Sequence, residues 1–345
     1  MVKIDTIELP PFPLLLAPME DVSDPPFRAV CKTAGADLMY TEFISSEGLI
    51  RDAMKSRRKL DIFEAERPVG IQIFGGDEEA LALSAKIVET VNPDLLDINF
   101  GCPVKKVVSK GAGAGVLKDV DLMVRLTKAV VDSTSLPVTV KTRLGWDDNT
   151  INIEEVAERL QDVGIKALAI HGRTRCQLYK GSADWAPIAR VKANPRIHIP
   201  IFGNGDIDSP EKAALYKERY GVDGIMIGRA AIGYPWIINE IKHYMQTGTH
   251  LPAPTLQQRV DVIRQHLHLS VSWKGPFVGI TEMRRHYTNY LKGLPNIKEF
   301  RYRLVTLNTA EEIDAVLDEI IRHYDGFEFQ KTPIELINYH EKCPV

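Results

Sequence analysis

The stretch Asp97-Ile98-Asn99-Phe100-Gly101-Cys102-Pro103-Val104-Lys105-Lys106 puts a thiol and a carboxamide on one tight turn bounded by glycine and proline, and leads into the glycine-rich run Gly111-Ala112-Gly113-Ala114-Gly115. A free thiol has an ordinary pKa of about 8.5, so at neutral pH it keeps its proton and can donate it as a general acid. The competing reading is a small buried hydrophobe, the usual fate of a free cysteine. Other residues bear on the choice. Gln72, Asn99, Lys141 with Arg143, His171 with Arg173, and Asn204-Gly205-Asp206 each sit at or near the end of an apolar run. Singly, His171 reads equally well as a hydrogen-bonded core histidine, and Lys141 as a lysine reaching for solvent. Their recurrence at one segment end after another points to a shared site.

Those runs are the elements that position the chemistry. Short apolar segments at Leu14-Ala17, Leu38-Glu42, Gly70-Phe74, Leu95-Asn99, Val138-Thr142, Ala167-His171, Ile201-Asn204 and Gly224-Gly228 alternate with helical periods, the pattern of a repeated βα unit. Helix starts stand between them: Asp24-Pro25, Gly76-Asp77-Glu78 and Asp208-Ser209-Pro210-Glu211. Eight parallel strands with intervening helices close most simply into a (β/α)8 TIM barrel. A doubly wound open sheet is disfavoured. The first βα turn, Ala17-Pro18-Met19-Glu20-Asp21, lacks the Gly-x-Gly-x-x-Gly fingerprint, and the later glycine run is out of place for it. In a barrel all strand ends gather at one mouth. Strands seven and eight end in Gly203-Asn204-Gly205-Asp206 and Gly228-Arg229-Ala230-Ala231, where barrels commonly bind phosphate. With Lys141, Gln72 and Ala17-Pro18-Met19 beside them, a phosphorylated planar cofactor fits better than a small sugar phosphate.

Composition excludes several classes. No apolar run reaches the roughly 18 to 20 residues of a membrane span, and the start, Met1-Val2-Lys3-Ile4-Asp5, has no secretory pattern, so a cytoplasmic protein without membrane contact is expected. Cys31, Cys102, Cys176 and Cys343 are scattered, with neither a disulfide framework nor a metal-ligand spacing, and no metal is expected. Lys+Arg 43 against Asp+Glu 46 gives a net charge of -3, so any nucleic-acid contact must be local. Candidate basic clusters are Lys55 to Lys59, Lys105-Lys106 with Lys110, Arg173 with Arg175, Arg284-Arg285-His286, and Arg301 with Arg303; each alone also reads as a solvated face.

Taken together, Ala17-Pro18-Met19, Asp24 to Arg28, Gln72, Asn99-x-Gly-Cys102-Pro103, Lys105-Lys106, Lys141 with Arg143, His171-Gly172-Arg173-Thr174, Asn204-Gly205-Asp206 and Met226-Ile227-Gly228-Arg229-Ala230 resemble the tRNA-dihydrouridine synthases, most of all their bacterial B branch. The resemblance spans the barrel and continues through Pro235-Trp236-Ile237 into the tail. It implies FMN-dependent reduction of uridine to 5,6-dihydrouridine in tRNA, with NADPH as the electron source. Carried over by position, it implies FMN contacts from Ala17, Pro18, Met19, Gln72, Lys141, His171, Asn204, Gly205, Asp206, Gly228 and Arg229, with Cys102 as the general acid. Such a reduction needs a hydride at C6 of uracil and a proton at C5, and a neutral thiol can give the latter. Asn99 could bond the uracil edge. Because the base must leave its stack, Arg173, Lys105 and Lys106 could then meet phosphates.

After about Gly248 the pattern changes. Pro252-Ala253-Pro254 reads as a linker, followed by helices over Leu256 to Trp273, Ile280 to Leu291, near Glu299 to Leu307, and Ala310 to Tyr324. The expected organisation is a catalytic barrel over 1–248, a smaller all-helical domain over 255–325, and an extension over 326–345 with no assigned role. The resemblance implies that the helical domain binds tRNA, with Arg284 and Arg285 beside Tyr287 as the candidate surface; a plain bundle capping the barrel is the alternative. In the extension, Phe327, Phe329, Ile334, Leu336 and Ile337 could pack back on the body. A monomer is expected. The rival enzyme is an FMN barrel acting on a free pyrimidine, similar to the dihydroorotate dehydrogenases, against which the appended helices argue. A second rival, an RNA-binding protein without catalysis, is opposed by the joint presence of Cys102, Lys141 and His171.

Overall fold

The computed structural model describes residues 1–329. The barrel strands are β1 (Leu14–Leu16), β2 (Leu38–Tyr40), β3 (Val69–Phe74), β4 (Leu95–Asn99), β5 (Val138–Arg143), β6 (Ala167–His171), β7 (Ile201–Asn204) and β8 (Gly224–Ile227). All neighbours are parallel. The ring closes because β8 pairs with β1, and β2 with β3, across Ile225↔Leu14 and Met39↔Val69. These strands form because their residues are apolar on both faces, as a parallel sheet covered by helices requires. Alternation sorts them: Leu15, Leu38, Tyr40, Leu95, Ala167, Ala169, Phe202 and Met226 fill the barrel, while Leu14, Leu16, Met39, Leu96, Leu168, Ile170 and Ile225 face the helices. The small Ala167 and Ala169 leave room for Tyr40 and Phe202 inside the same cluster.

An antiparallel hairpin, Val2–Ile4 with Ile7–Leu9, precedes the barrel, and its Val2, Ile4 and Leu9 join the interior cluster. Because the site lies at the strand C-termini, this cover seals the barrel without obstructing it. The helix starts read from sequence carry side-chain caps: the Phe27, Ala80 and Lys212 amides donate to Asp24, Asp77 and Ser209.

One glycine is required by packing. A β-carbon on Gly203 would lie 1.9 Å from Cζ3 of Trp185. The indole is 1 % exposed, donates from Nε1 to the Gly205 carbonyl at 3.1 Å and packs edge-on against Tyr216, so it has nowhere to move. Gly203→Ala is therefore expected to destabilise the fold by about 3 kcal/mol, the upper part of the overpacking range. An unchanged urea midpoint would show that the ring can yield.

Past the barrel, four helices, α1 (Leu256–Lys274), α2 (Pro276–Tyr290), α3 (Lys298–Thr306) and α4 (Ala310–His323), form a bundle with its own core around Val260, Ile263, Leu267, Tyr287, Leu304, Ile313 and Leu317. α1 opens with a reciprocal cap between Thr255 and Gln258. The bundle sits on the barrel helix Pro25–Thr33: Phe27 lies 5.7 Å from the His266 ring and 5.5 Å from that of His286. Lys274, buried at the end of α1, binds Asp24 and Glu282. Phe327 packs on Tyr324, and Phe329 lies under Arg259 at 3.6 Å. Ile334, Leu336 and Ile337 lie outside the described residues.

Candidate active site

The inward-facing positions change character toward the mouth. On β3, β4 and β5 the parity that buries Ile71, Ile73, Leu96, Ile98, Val138 and Val140 outside turns Gln72, Asp97, Asn99, Thr139 and Lys141 inward. They are wired together. Gln72 Nε2 donates to Asp97 Oδ2 at 2.6 Å, Thr139 Oγ1 to Asp97 Oδ1 at 2.5 Å, and Asn99 Nδ2 to Gln72 Oε1 at 2.8 Å. Burial pushes the Asp97 carboxyl up to about 6, opposed by the bonds from Gln72 and Thr139 and by the Lys141 charge.

Asn99 then builds the cysteine turn. Its Oδ1 accepts from the Gly101 amide at 2.9 Å and from the Cys102 amide at 2.8 Å. The Cys102 carbonyl accepts from Ala114 at 3.0 Å, and Gly113 packs so closely that a β-carbon there would come within 3.2 Å of Cys102 Cβ. The glycine-rich run is thus the bed of the thiol. Arg143 Nε donates to the Gly101 carbonyl at 2.8 Å, pinning the other side. Burial raises the thiol above its ordinary pKa, only partly opposed by the Val104 amide, Arg143 and Lys141. Cys102 therefore carries its proton at neutral pH.

The register places the remaining strand ends side by side: Asn99 with Lys141, Arg143 with His171, and His171 with Asn204. Desolvation, then Arg143, lowers the Lys141 ammonium to about 8. The His171 imidazole is driven well below its ordinary value by burial and by Lys141, so it is neutral, and its Nδ1 is buried with no hydrogen-bond partner among the described residues. Asn204 is fixed by donation to the Met226 carbonyl at 2.7 Å. Gly205, at φ +126, lies against Ala183, where a β-carbon would come within 2.7 Å. Across the ring closure, Ala17 donates to the Ile227 carbonyl at 2.8 Å, and the Gly228 Cα faces Ala17 and Met19, each 3.6 Å from where a β-carbon would stand. Pro18 lies between these two residues in the same turn.

The structure separates the cations by their commitments. Arg173 is 2 % exposed and forms a two-pronged pair with Asp206 at 2.9 and 2.6 Å, adding bonds to the Lys180 and Gly181 carbonyls. It is a strut holding the loop after β6, contrary to the sequence expectation of a phosphate contact. Asp206 also accepts from the Ala183 amide and from Arg229 at 3.0 Å, so its carboxylate is consumed in orienting Arg229. Arg284 donates to the Leu307 carbonyl and Asn308 within the bundle, while Arg285 reaches across to the Asp21 carbonyl. Neither is an idle surface charge; a charged sequence run does not reveal its partners. Lys105 and Lys106 are exposed on the short helix Lys105–Val108, and among the described residues they have no acidic partner. At the rim, Glu20 and Glu42 share Lys59, at 2.6 and 3.4 Å.

Sequence reading missed Tyr179. It is 56 % exposed at the mouth, its ring set edge-on to His171 at 6.5 Å, with Arg143 and Arg229 over it at 5.6 and 5.0 Å. It lies in the loop Leu178-Tyr179-Lys180-Gly181, which has no periodicity to mark it in the sequence and in which Leu178 takes a left-handed φ of 53°.

A family model described as dihydrouridine synthase matches residues 15–324, the barrel and bundle together. This chain belongs to the dihydrouridine synthase family. Its relatives include tRNA-dihydrouridine synthase B of Pseudomonas aeruginosa, 42% identical over 302 residues that cover 88% of this chain and 90% of the relative. The protein of the same name from Xanthomonas campestris pv. campestris is 42% identical over 313 residues, 91% of this chain and 93% of the relative. Among solved structures, the 6-hydroxypseudooxynicotine amine oxidase of Pseudomonas geniculata superposes with a TM-score of 0.57 at 13% identity, over 76% of this chain and 52% of that one. A morphinone reductase variant in complex with tetrahydroNAD gives 0.52 at 12% identity, over 74% and 92%. These two share the barrel fold. The family match takes in Cys102, Lys141 and His171, and the whole bundle to one residue past its last helix. No helix among the described residues is long and apolar enough to cross a membrane.

Proposed function

We propose that this family member reduces uridine to 5,6-dihydrouridine in tRNA, using FMN reduced by NADPH, as a cytoplasmic monomer. The observation that carries the reading is a shielded, protonated thiol at Cys102 on the same mouth as the neutral His171 and the Lys141 ammonium, which has no hydrogen-bond partner among the described residues.

The residues present suit FMN. A buried imidazole nitrogen and a buried ammonium, neither with a hydrogen-bond partner among the described residues, are groups that a polar ring system with a phosphate would satisfy. Arg229, oriented by Asp206, stands with Gly228 at the strand-eight end where barrels take phosphate. Ala17, Pro18, Met19, Gln72, Asn204, Gly205 and Asp206 line or brace the same mouth. Bound FMN supplies the hydride for uracil C6. Cys102 Sγ–H donates its proton to C5. Lys141 holds positive charge where electron density collects, and its lowered pKa reflects how little water shares that role. Asn99 keeps one amide hydrogen beyond its bond to Gln72, available to a uracil carbonyl. Tyr179 offers an exposed ring to an extruded nucleotide, and Lys105 with Lys106 offers charge to the flanking backbone.

Purified protein is expected to be yellow, to release FMN on denaturation, and to bleach with NADPH. Colourless protein that takes up no added FMN would sink the flavin reading. Conversion of free uracil or orotate as fast as tRNA would favour the rival acting on a free pyrimidine.

A further inference from the structure

At the mouth Arg173 and Arg229 pair with Asp206 and Lys59 with Glu20, yet two rim cations stand apart from this pattern. On the barrel flank Arg125 pairs with Glu78, Arg159 with Asp121, Arg190 with Glu154 and Arg196 with Glu158. Such exposed pairs add little stability, but they cancel the local field. Lys118 and Arg175, on the loops after β4 and β6, have no acidic partner among the described residues. Both instead lie over the indole of Trp146, on the loop after β5, with Lys118 Nζ at 4.0 Å and Arg175 Cζ at 4.7 Å from the ring centroid. The loops after β5 and β6 are laced together. The Arg175 amide donates to the Gly145 carbonyl at 3.0 Å and the Cys176 amide to the Trp146 carbonyl at 2.9 Å. Arg175 Nε is buried and has no hydrogen-bond partner among the described residues.

Two like charges on one ring repel, and the attraction of each to the indole face offsets only part of that. An anion between or beside them would complete the arrangement. The ring already carries cations, so it is not a platform for a base, and the anion is one that needs no base readout. We infer that Lys118, Trp146 and Arg175 form a clamp on the rim for the phosphate backbone of tRNA leading away from the nucleotide in the mouth. The inference rests on the function proposed above and adds a contact surface distinct from Cys102, Tyr179 and the Lys105-Lys106 helix. Trp146 orients the two cations; they make the contact.

The test is binding of an unmodified tRNA transcript across a salt series, with flavin content as the folding control. K118Q/R175Q is expected to bind on the order of ten-fold more weakly at about 0.1 M salt, with the log–log salt slope shallower by about 1.8 if both contacts are to duplex and about 1.4 if to single strand. Lys118→Gln alone, at an exposed position, should give half that change in slope, and Lys118→Arg should keep the wild-type slope. Wild-type affinity and slope in K118Q/R175Q, with wild-type protein still converting tRNA, would overturn the clamp alone. Wild-type protein that neither binds nor converts tRNA would overturn the clamp together with the proposed function.

Discussion

Replacing Cys102 with alanine is expected to lower dihydrouridine formation by roughly 10²- to 10⁴-fold, the range associated with one positioned acid. The backbone of the turn should survive the change. The Cys102 amide is held by Asn99 Oδ1 at 2.8 Å and its carbonyl by Ala114 at 3.0 Å, neither of which involves sulfur. Flavin content should therefore stay near the wild-type level while product formation collapses, measured as dihydrouridine released per flavin in a single turnover. Loss of flavin in parallel would mark Cys102 as structural, and wild-type rates would remove it from the chemistry.

A large acid sensitivity is expected at the junction of barrel and bundle. Burial drives His266 down to about 3 and His286 well below its ordinary value, and both sit against Phe27. An unfolded histidine titrates near 6.5, so below that pH the unfolded chain takes up protons that the folded chain refuses. The stability that each contributes is complete above about pH 6.5 and is lost as pH falls toward the folded value, at up to about 1.4 kcal/mol per pH unit. Between pH 6.5 and 4.5 that is about 2 kcal/mol for His266, out of the 5 to 15 kcal/mol typical of a domain, and His286 acts in the same direction. Asp97, raised to about 6, acts with the opposite sign over part of this window, so the difference between variants is the informative quantity. His266→Gln keeps an acceptor for the Tyr290 hydroxyl, now 3.1 Å from His266 Nδ1, and does not titrate. Urea unfolding at pH 7 and pH 5 should show a flatter pH dependence in His266→Gln; identical dependence would place the acid sensitivity elsewhere.

The barrel was legible because its strands are uninterrupted apolar runs that stop at polar residues, and that same stop marks the mouth. Gln72, Asn99, Lys141, His171 and Asn204 could be named for this reason: period-two alternation and strand ends are written in the chain. The bundle helices were legible from their periodicity after the proline-rich linker to within a few residues. The short hairpin Val2–Leu9 was not, since three-residue strands are too brief to show a period. Tyr179 was missed because its position depends on how a nonperiodic loop folds back over His171. The arginines were least legible. Arg173 and Arg285 show how little a charge alone says, since one is buried on Asp206 and the other is spent on the Asp21 carbonyl.

The fastening of the bundle to the first βα loop bears on how such chains can be recombined. Asp24 and Asp21 receive Lys274 and Arg285, and the same loop begins with Met19, which stands against Gly228. A chimera joining this barrel to a relative's bundle would bring foreign partners to that loop, and a mismatch there would be transmitted to the wall of the mouth. Grafts that exchange residues 19–33 together with α1 and α2 keep the lock with its key; grafts cut at the linker split them. The proline-rich linker is thus the obvious place to cut this chain and a poor one, because its two parts are joined through the loop beside the mouth.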